Sequence, residues 1–371
     1  VKRIVPILSF VLVSIVCFSQ EENDPISKGY DCYLEEDYIC AIEELTKAIE
    51  IDDSIAGVYY YRGVSKKLTG DLYGAIFDFT KTIELEPKYG SAYYEKAWAK
   101  TELEDYRGAL LVWNKLIEWD TDNCINFYGR GYAKKHLGDL DGAISDLTKA
   151  IELQPDYVSA YINRAIYRRE LEDYKGALSD WNKLIELQPD EFLYYYDRAG
   201  VKNQLGDISG SISDYTEVIK LQPDYIDAYT RRAWAKTELE DYRGALLDWS
   251  KLVELMPGNH ICYYSRGIVK HQLGDLDGAI ADLTKAIKFQ PDFDPAYYLR
   301  GAANYKLNKL DAAISDYSTA IKLNPEDARS YLERGAVNLD LGLVDEACYD
   351  FSKAGELGIE EAYDLIKEYC K

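Results

Sequence analysis

The fifteen residues Ala97–Leu111, AWAKTELEDYRGALL, recur unchanged as Ala233–Leu247, 136 positions later. That offset is four times 34, and 34 is the spacing of the whole chain. A small residue opens an Ala-Ile, Ala-Leu or similar pair at 41, 75, 109, 143, 177, 211, 245, 279, 313 and 347. Ten such positions in one register imply ten copies of one supersecondary unit. Function is then to be sought on a long repeated surface rather than in a single cavity.

Asp156–Pro189 shows the repeat. Pro155 ends the preceding helix, and Asp156 is a candidate cap for the next. Tyr161, Ala165 and Arg168 fall at helical spacing up to a turn at Leu171-Glu172-Asp173. A second helix then carries Ala177, Leu178, Trp181, Leu184 and Ile185 on one broad apolar face. Neighbouring copies turn at Leu137-Gly138-Asp139 or Leu273-Gly274-Asp275, with Gly suited to the left-handed position after a helix and Asp to the next cap. Twelve residues before each small residue of the Ala-Ile type stands another Gly or Ala, from Gly29 and Gly63 to Gly335, so two helix backbones can approach closely. Phe79, Trp113, Leu147, Trp181, Tyr215, Trp249, Leu283, Tyr317 and Phe351 fill one equivalent large position. The tryptophans at 113, 181 and 249 are 68 apart, so copies alternate in type.

Ten copies account for about 340 of the 371 residues, with no Gly/Ser-rich linker between them. The hydrophobic content of 47% is ample for a packed core. The net charge of −22, from 43 basic and 65 acidic residues, repels phosphate backbones and anionic membrane surfaces, so nucleic acid is not an expected partner. The acidity confers solubility or attracts a basic partner.

The first residues read differently. Lys2 and Arg3 precede an apolar stretch, Ile4–Phe18, that turns polar at Ser19, the pattern of a secretory signal with a cut after Ser19. The expected domains are a signal peptide at 1–19, an array of about ten repeats at 20–356 and a capping helix at 357–371. The chain is expected to be exported to the periplasm or cell surface, or secreted. An uncleaved membrane anchor is the alternative, and no stable membrane insertion is expected once the signal is cut. Val16 before Cys17 argues against lipidation. Export permits disulfides. In a solenoid Cys124 and Cys262 are too far apart to meet, whereas Cys32/Cys40 and Cys348/Cys370 can pair or remain free buried thiols.

The pattern resembles the tetratricopeptide repeat (TPR): an aromatic at position 4, small residues at 8 and 20, an aromatic at 24 and Pro at 32. Here those are Tyr161, Ala165, Ala177, Trp181 and Pro189. The resemblance covers about nine-tenths of the chain and implies an all-α, right-handed superhelical solenoid of helix-turn-helix repeats with a C-terminal capping helix. The first copy departs, with Pro25 at the aromatic position, and reads as a worn N-terminal cap. At position 7 the family usually has Leu. This chain instead has Arg62, Arg130, Arg164, Arg198, Arg232, Arg266, Arg300 and Arg334, each followed sixteen residues later by Asp. The copy with Lys96 has Val112 in place of that Asp, and the first copy has Lys28 with Glu43. Cation and acid change together, so an Arg–Asp pair within each repeat is expected, bidentate where geometry allows. The alternative is a charged ladder offered to a ligand, but a binding surface would vary more from copy to copy.

Nothing in the sequence suggests an enzyme. The three histidines lie on widely separated repeats, and no Cys-x-x-Cys, His-Glu-x-x-His or phosphate-binding Gly loop is present. No cofactor or metal is expected. The resemblance implies instead that the first helix of each repeat lines a concave groove, through positions 2, 5, 9, 12 and 13. Position 5 supplies Tyr60, Tyr94, Tyr128, Tyr196, Tyr264 and Tyr298, position 9 supplies Trp98, Tyr132 and Trp234, and position 12 adds Tyr305. Tyr and Trp dominate binding hot spots, so these ten are the candidate partner-binding residues. The same rings could equally serve to fill gaps between helices. The expected function is a non-catalytic scaffold that binds a protein or peptide segment in the cell envelope. A glycan-binding module and a purely structural spacer are the alternatives.

Overall fold

The computed structural model of the protein describes residues 24–370; the signal expected at 1–19, with Cys17, lies outside the described residues. Twenty-one α-helices are present among the described residues, with no strand. Two compact units divide at Ala160/Tyr161. The N-terminal unit holds α1 (Pro25–Leu34), α2 (Tyr38–Ile51), α3 (Ala56–Leu68), α4 (Leu72–Leu85), α5 (Gly90–Glu102), α6 (Tyr106–Trp119), α7 (Cys124–His136) and α8 (Leu140–Leu153). The division falls within α9 (Val158–Glu170). The C-terminal unit continues with α10 (Tyr174–Leu187), α11 (Phe192–Gln204), α12 (Ile208–Leu221), α13 (Ile226–Glu238), α14 (Tyr242–Leu255) and α15 (His260–Gln272). It ends with α16 (Leu276–Phe289), α17 (Asp294–Lys306), α18 (Leu310–Leu323), α19 (Ala328–Asp340), α20 (Val344–Glu356) and α21 (Glu361–Tyr369).

Within each unit, helices pack on their neighbours in chain order, so the architecture is an all-α helical repeat solenoid. Odd-numbered helices also touch the odd-numbered helix of the next copy, as α3 does α5 and α15 does α17, which aligns the first helices side by side. No described helix is long and apolar enough to cross a membrane.

Small residues set the closeness of each hairpin. A Cβ added at Gly63 would lie 2.8 Å from Phe79, and one at Gly335 would lie 2.7 Å from Phe351. Ala97, Ala165, Ala199 and Ala233 occupy the same position and are fully buried. Trp113, Trp181 and Trp249 fill the equivalent large site and are also buried, their indole N–H groups unpartnered. They are held there by apolar contact alone.

Caps and turns explain the helix boundaries. Asp139, Asp173, Asp207, Asp241 and Asp275 each accept a 2.9–3.0 Å bond from the backbone N–H three residues on, starting the second helix. The Asp that follows each Pro does not have that role. At α13, for example, Asp224 lies outside the helix, and Tyr225 holds the cap position without a side-chain bond. The residue just before the capping Asp alternates between Gly and Glu, in Leu-Gly-Asp and Leu-Glu-Asp turns, and both types place that middle residue in the left-handed region. Gly138 has φ of 85° and Glu172 has φ of 59°. A non-glycine residue there costs on the order of 1 kcal/mol, so every second turn carries a strain that its neighbour avoids.

The expected Arg–Asp pairing is present in all eight copies that have both residues, with Nη2–Oδ1 distances of 2.6–2.7 Å. Each pair is bidentate, because Nε also donates to Oδ2, as from Arg266 to Asp282 at 2.8 Å. In the first copy the partner of Lys28 is Glu44 at 2.8 Å, rather than Glu43. Glu44 is the residue sixteen on, and its neighbour in sequence points to a different face of the helix. Lys96 has no carboxylate within pairing distance among the described residues, as Val112 implies, and burial pushes its ammonium below the usual lysine range.

Sequence reading missed two further contacts of these arginines. Each guanidinium lies 5.4–5.7 Å from the centre of the aromatic ring three residues before it, from Tyr59 under Arg62 to Tyr331 under Arg334. Nη1 reaches back into the preceding copy: Arg62 to Thr46, Arg130 to Asn114, Arg198 to Asn182, Arg232 to Thr216, Arg300 to Thr284 and Arg334 to Ser318, at 2.9–3.2 Å. One side chain thus joins two helices of its own repeat to the repeat before. A period-34 search for cation and acid finds the first link. The second appears only when Ser, Thr or Asn recurring at position 25 is compared across copies.

Both end repeats are cross-linked. Cys32 is bonded to Cys40 and Cys348 to Cys370, while Cys124 and Cys262 are free. The second bridge fastens α21 to α20, where Ala362 and Phe351 share a buried cluster. That places a capping helix at the C-terminal end of the array.

The Arg–Asp contact has a pH signature. Burial tends to raise the carboxyl of Asp282, but hydrogen bonds from Arg266 and Lys270 outweigh it and hold the group below its ordinary 3.8. A depressed carboxylate contributes stability above its unfolded pKa and loses it as pH falls through the folded one. Asp282→Asn is expected to lower unfolding free energy in urea by about 3 kcal/mol at pH 7, leaving a buried guanidinium uncompensated. As pH falls from 3.8 through the lower folded pKa, the difference from wild type should shrink toward zero. A penalty that does not change over that range contradicts an ionic role.

Candidate partner-binding surface

The aligned first helices carry the ten candidate residues, and the structure gathers them unequally. In the N-terminal unit Tyr94, Trp98, Tyr128 and Tyr132 form one cluster. Trp98 lies 6.3 Å from Tyr94, 6.4 Å from Tyr128 and 6.3 Å from Tyr132, measured between ring centres. Beneath them Trp113 meets both Tyr94 and Trp98 edge-on. His136 sits between Tyr106 and Tyr132, at 4.3 and 4.7 Å, and burial pushes its pKa below the usual imidazole value. Tyr60 belongs to a separate group with Tyr61, Phe79 and Tyr89.

All five of these side chains are half-buried. The indole N–H of Trp98 is fully buried without a partner, and burial raises the phenols of Tyr60 and Tyr94 above the ordinary tyrosine value. The rings therefore cover one another as much as they face outward. Beside them, Glu95 is held by Lys67 at 2.9 Å, so the local charge is already balanced.

The C-terminal unit distributes its candidates. Tyr196 packs on Tyr215 and Tyr225, Trp234 on Trp249, Tyr264 on Phe293 and Tyr298 on Tyr317. Among the described residues no ring contact joins these groups to one another. Tyr305 donates its hydroxyl to Asp340 at 2.6 Å, and that bond, with burial, pushes its pKa up to about 12. Its polar end is thereby committed within the chain.

Trp234 differs from all the others. It is the same residue of the duplicated stretch as Trp98, yet 46% of it is exposed. The reason is the following copy: where Tyr132 leans on Trp98, the equivalent residue is Ile268, which has no ring to extend over Trp234. Upstream, Tyr94 and Glu95 are replaced by Thr230 and Arg231. Arg231 is exposed, stacks over Tyr196 at 5.7 Å and donates to its hydroxyl at 2.7 Å. It has no carboxylate partner among the described residues. The N-terminal copy of the fifteen-residue stretch thus has a covered indole with a paired acid just upstream of it, and the C-terminal copy an open indole with an unpaired cation just upstream.

No group of three or more His, Cys, Asp or Glu placed to hold a metal occurs among the described residues.

The repeat pattern, the hairpin geometry and family comparison agree. Residues 126–157 match a family described as tetratricopeptide repeat, and 269–308 and 305–342 match a TPR repeat family. The chain is a tetratricopeptide-repeat protein. Among solved structures, it is similar to the C-terminal part of a TPR repeat-containing protein from Cytophaga hutchinsonii. That match has 18% identity and a TM-score of 0.59, and covers 64% of this chain and 97% of that one. It is also similar to YrrB, a TPR protein with an unusual peptide-binding site, at 23% identity and a TM-score of 0.44, covering 51% of this chain and 97% of that one. A third is MamA, at 27% identity and a TM-score of 0.42, covering 44% of this chain and 96% of that one. No curated protein matches the chain.

The two copies of the duplicated stretch give a direct comparison within this TPR protein. Complete burial of a tryptophan makes its truncation cost about 3–5 kcal/mol. Trp98→Ala, in a shared ring cluster, is expected to cost about 2 kcal/mol in a chemical melt, and Trp234→Ala at least about 1 kcal/mol less. Equal losses would mean that Trp234 is as much a packing residue as its duplicate.

Proposed function

We propose that this chain is a non-catalytic scaffold that binds a protein segment along its first-helix face, with Trp234 as the principal anchor. The observation that carries this reading is the open indole of Trp234, set beside the unpaired Arg231 in a chain whose other candidate rings are all half-buried. An exposed tryptophan rimmed by a cation is the composition of a binding hot spot, and a rigid repeat holds it without ordering cost at the moment of binding. The segment is extended or helical and lays an apolar side chain on Trp234. Tyr196 fixes the direction of Arg231 from the preceding copy.

Export belongs to the same proposal. It rests on the Lys2-Arg3 and Ile4–Phe18 pattern, and the cross-linked end repeats support it, since such bonds persist in oxidising compartments. The work of the scaffold is then in the envelope or outside the cell.

A photo-cross-linking amino acid placed at 234 in the native host, with 98 and 247 as comparison sites, tests the proposal. Leu247 is 72% exposed on a second helix and so serves as the off-face control. Cross-links from 234 to one protein segment, absent from 247, are expected. Attachment to glycan, or the same products from both positions, contradicts it.

A further inference from the structure

A second surface lies on the other side of the first helices, where positions 7 and 11 stand about 200° around the helix from the groove positions 5 and 9. In six copies the buried Asp of the clasp has a second cation beside the arginine. Lys66, Lys134, Lys202, Lys236 and Lys270 place Nζ 2.8–2.9 Å from its Oδ2, and Arg168 does the same at 2.7 Å. The ammonium also reaches a backbone carbonyl of the second helix, as Lys236 does that of Gly244 at 3.3 Å. In these lysine copies a Cβ added at that glycine would collide with the carboxylate of the capping Asp, as at Gly244 with Asp241.

In the last two copies all of this changes together. Asn304 and Asn338 replace the cation, and Ala312 and Glu346 replace the glycine. Asparagine is shorter and neutral, so both the volume and the positive charge of the lysine head are missing. A cleft opens at each position, of about 290 Å³ beside Asn304 and about 470 Å³ beside Asn338. The larger one is lined by Asp345, Glu346 and Asp350 against the single guanidinium of Arg334. Three carboxylates and one guanidinium leave it two negative charges in excess. The smaller has Arg300 and Asp316 alone and is balanced.

Asn338 is itself 6% exposed and donates Nδ2 to Asp350 Oδ2 at 3.1 Å. Its Oδ1 accepts from no group among the described residues, which leaves a carbonyl-type acceptor in the lining of the cleft. Tyr349 forms part of the wall, and an aromatic ring there suits a methylene stem or a cation.

We propose that the cleft at Asn338 binds a primary ammonium, seated where six other copies carry a cation of their own. The ligand is a lysine side chain of a partner protein or a free aliphatic diamine, which share the head group. Three N–H donors suit the carboxylates of Asp345 and Glu346 together with Asn338 Oδ1, while Asp350 stays bonded to Arg334 and Asn338, and the stem lies along Tyr349. This proposal does not depend on the Trp234 surface.

The test is a titration of the isotope-labelled full chain with butylamine, putrescine and Nα-acetyl-lysine methylamide, followed by the amide resonances of Asn338 and residues 345–350. Saturable shifts are expected with all three, and shifts at least about tenfold weaker with tetramethylammonium, which has no N–H to donate. Tightest binding of the lysine derivative points to a protein ligand, and tightest binding of putrescine to a free diamine. Asn338→Lys restores the residue found in six other copies, should fold as they do, and is expected to abolish the shifts. Glu346→Ala should weaken binding about tenfold. Shifts that persist in Asn338→Lys, equal shifts with tetramethylammonium, or no saturable shift would overturn the proposal.

Discussion

The arginine at position 7 is the contact on which the array depends. It lies over an aromatic ring of its own helix, grips an aspartate of the second helix through two hydrogen bonds and, in most copies, reaches a polar side chain of the preceding repeat. Its value is not chiefly stability. Bringing two ions out of water costs several kcal/mol each, and such a pair often breaks even against well-packed apolar residues. Stability comes from the buried tryptophans, phenylalanines and leucines beside it. The guanidinium instead supplies direction: a planar fork satisfies its partners in one arrangement of three helices, so a slipped register leaves a buried ion unpaired.

That division of labour frees the groove. Positions 4, 7, 8, 20, 23 and 24 are committed to the clasp and the helix crossing, and they change little among copies. Positions 5, 6, 9, 12 and 13 carry no such duty, so their side chains can differ. They range from the mutually covered rings around Trp98 to the open Trp234 beside Arg231. On the opposite side, the last two copies relax one partner of the clasp, lysine to asparagine, while keeping the arginine and aspartate. The array tolerates this because Asn338 still donates to Asp350.

Most of the fold was legible, because a period of 34 repeated ten times leaves helix spacing, small crossing residues and turn chemistry in plain view. The Arg–Asp pair was legible for the same reason: cation and acid are lost together at Lys96 and Val112. The first copy was misread by one residue, Glu43 for Glu44, although the sixteen-residue spacing of the other pairs falls on Glu44. Capping by the Asp after each Pro was also misplaced, because the chain runs two residues further before the helix begins. The candidate site was legible as a set of positions, but not as a set of exposures. Trp98 and Trp234 lie in the same fifteen residues, and neighbours outside that stretch, Tyr94 and Tyr132 against Thr230 and Ile268, decide which indole is covered.

The central claim is that the arginine clasp holds each repeat in register, and the repeat with Lys96 and Val112 has no ion pair in its place. Hydrogen exchange of the native protein, read helix by helix, tests this at α5 and α6, where Lys96 and Val112 stand in for the pair. Opening of that repeat is expected to be easier than opening of α3–α4 or α7–α8 by roughly 1–2 kcal/mol, with the gap narrowed in the Lys96→Arg, Val112→Asp double variant. Protection of α5–α6 equal to or greater than that of its neighbours would contradict the account.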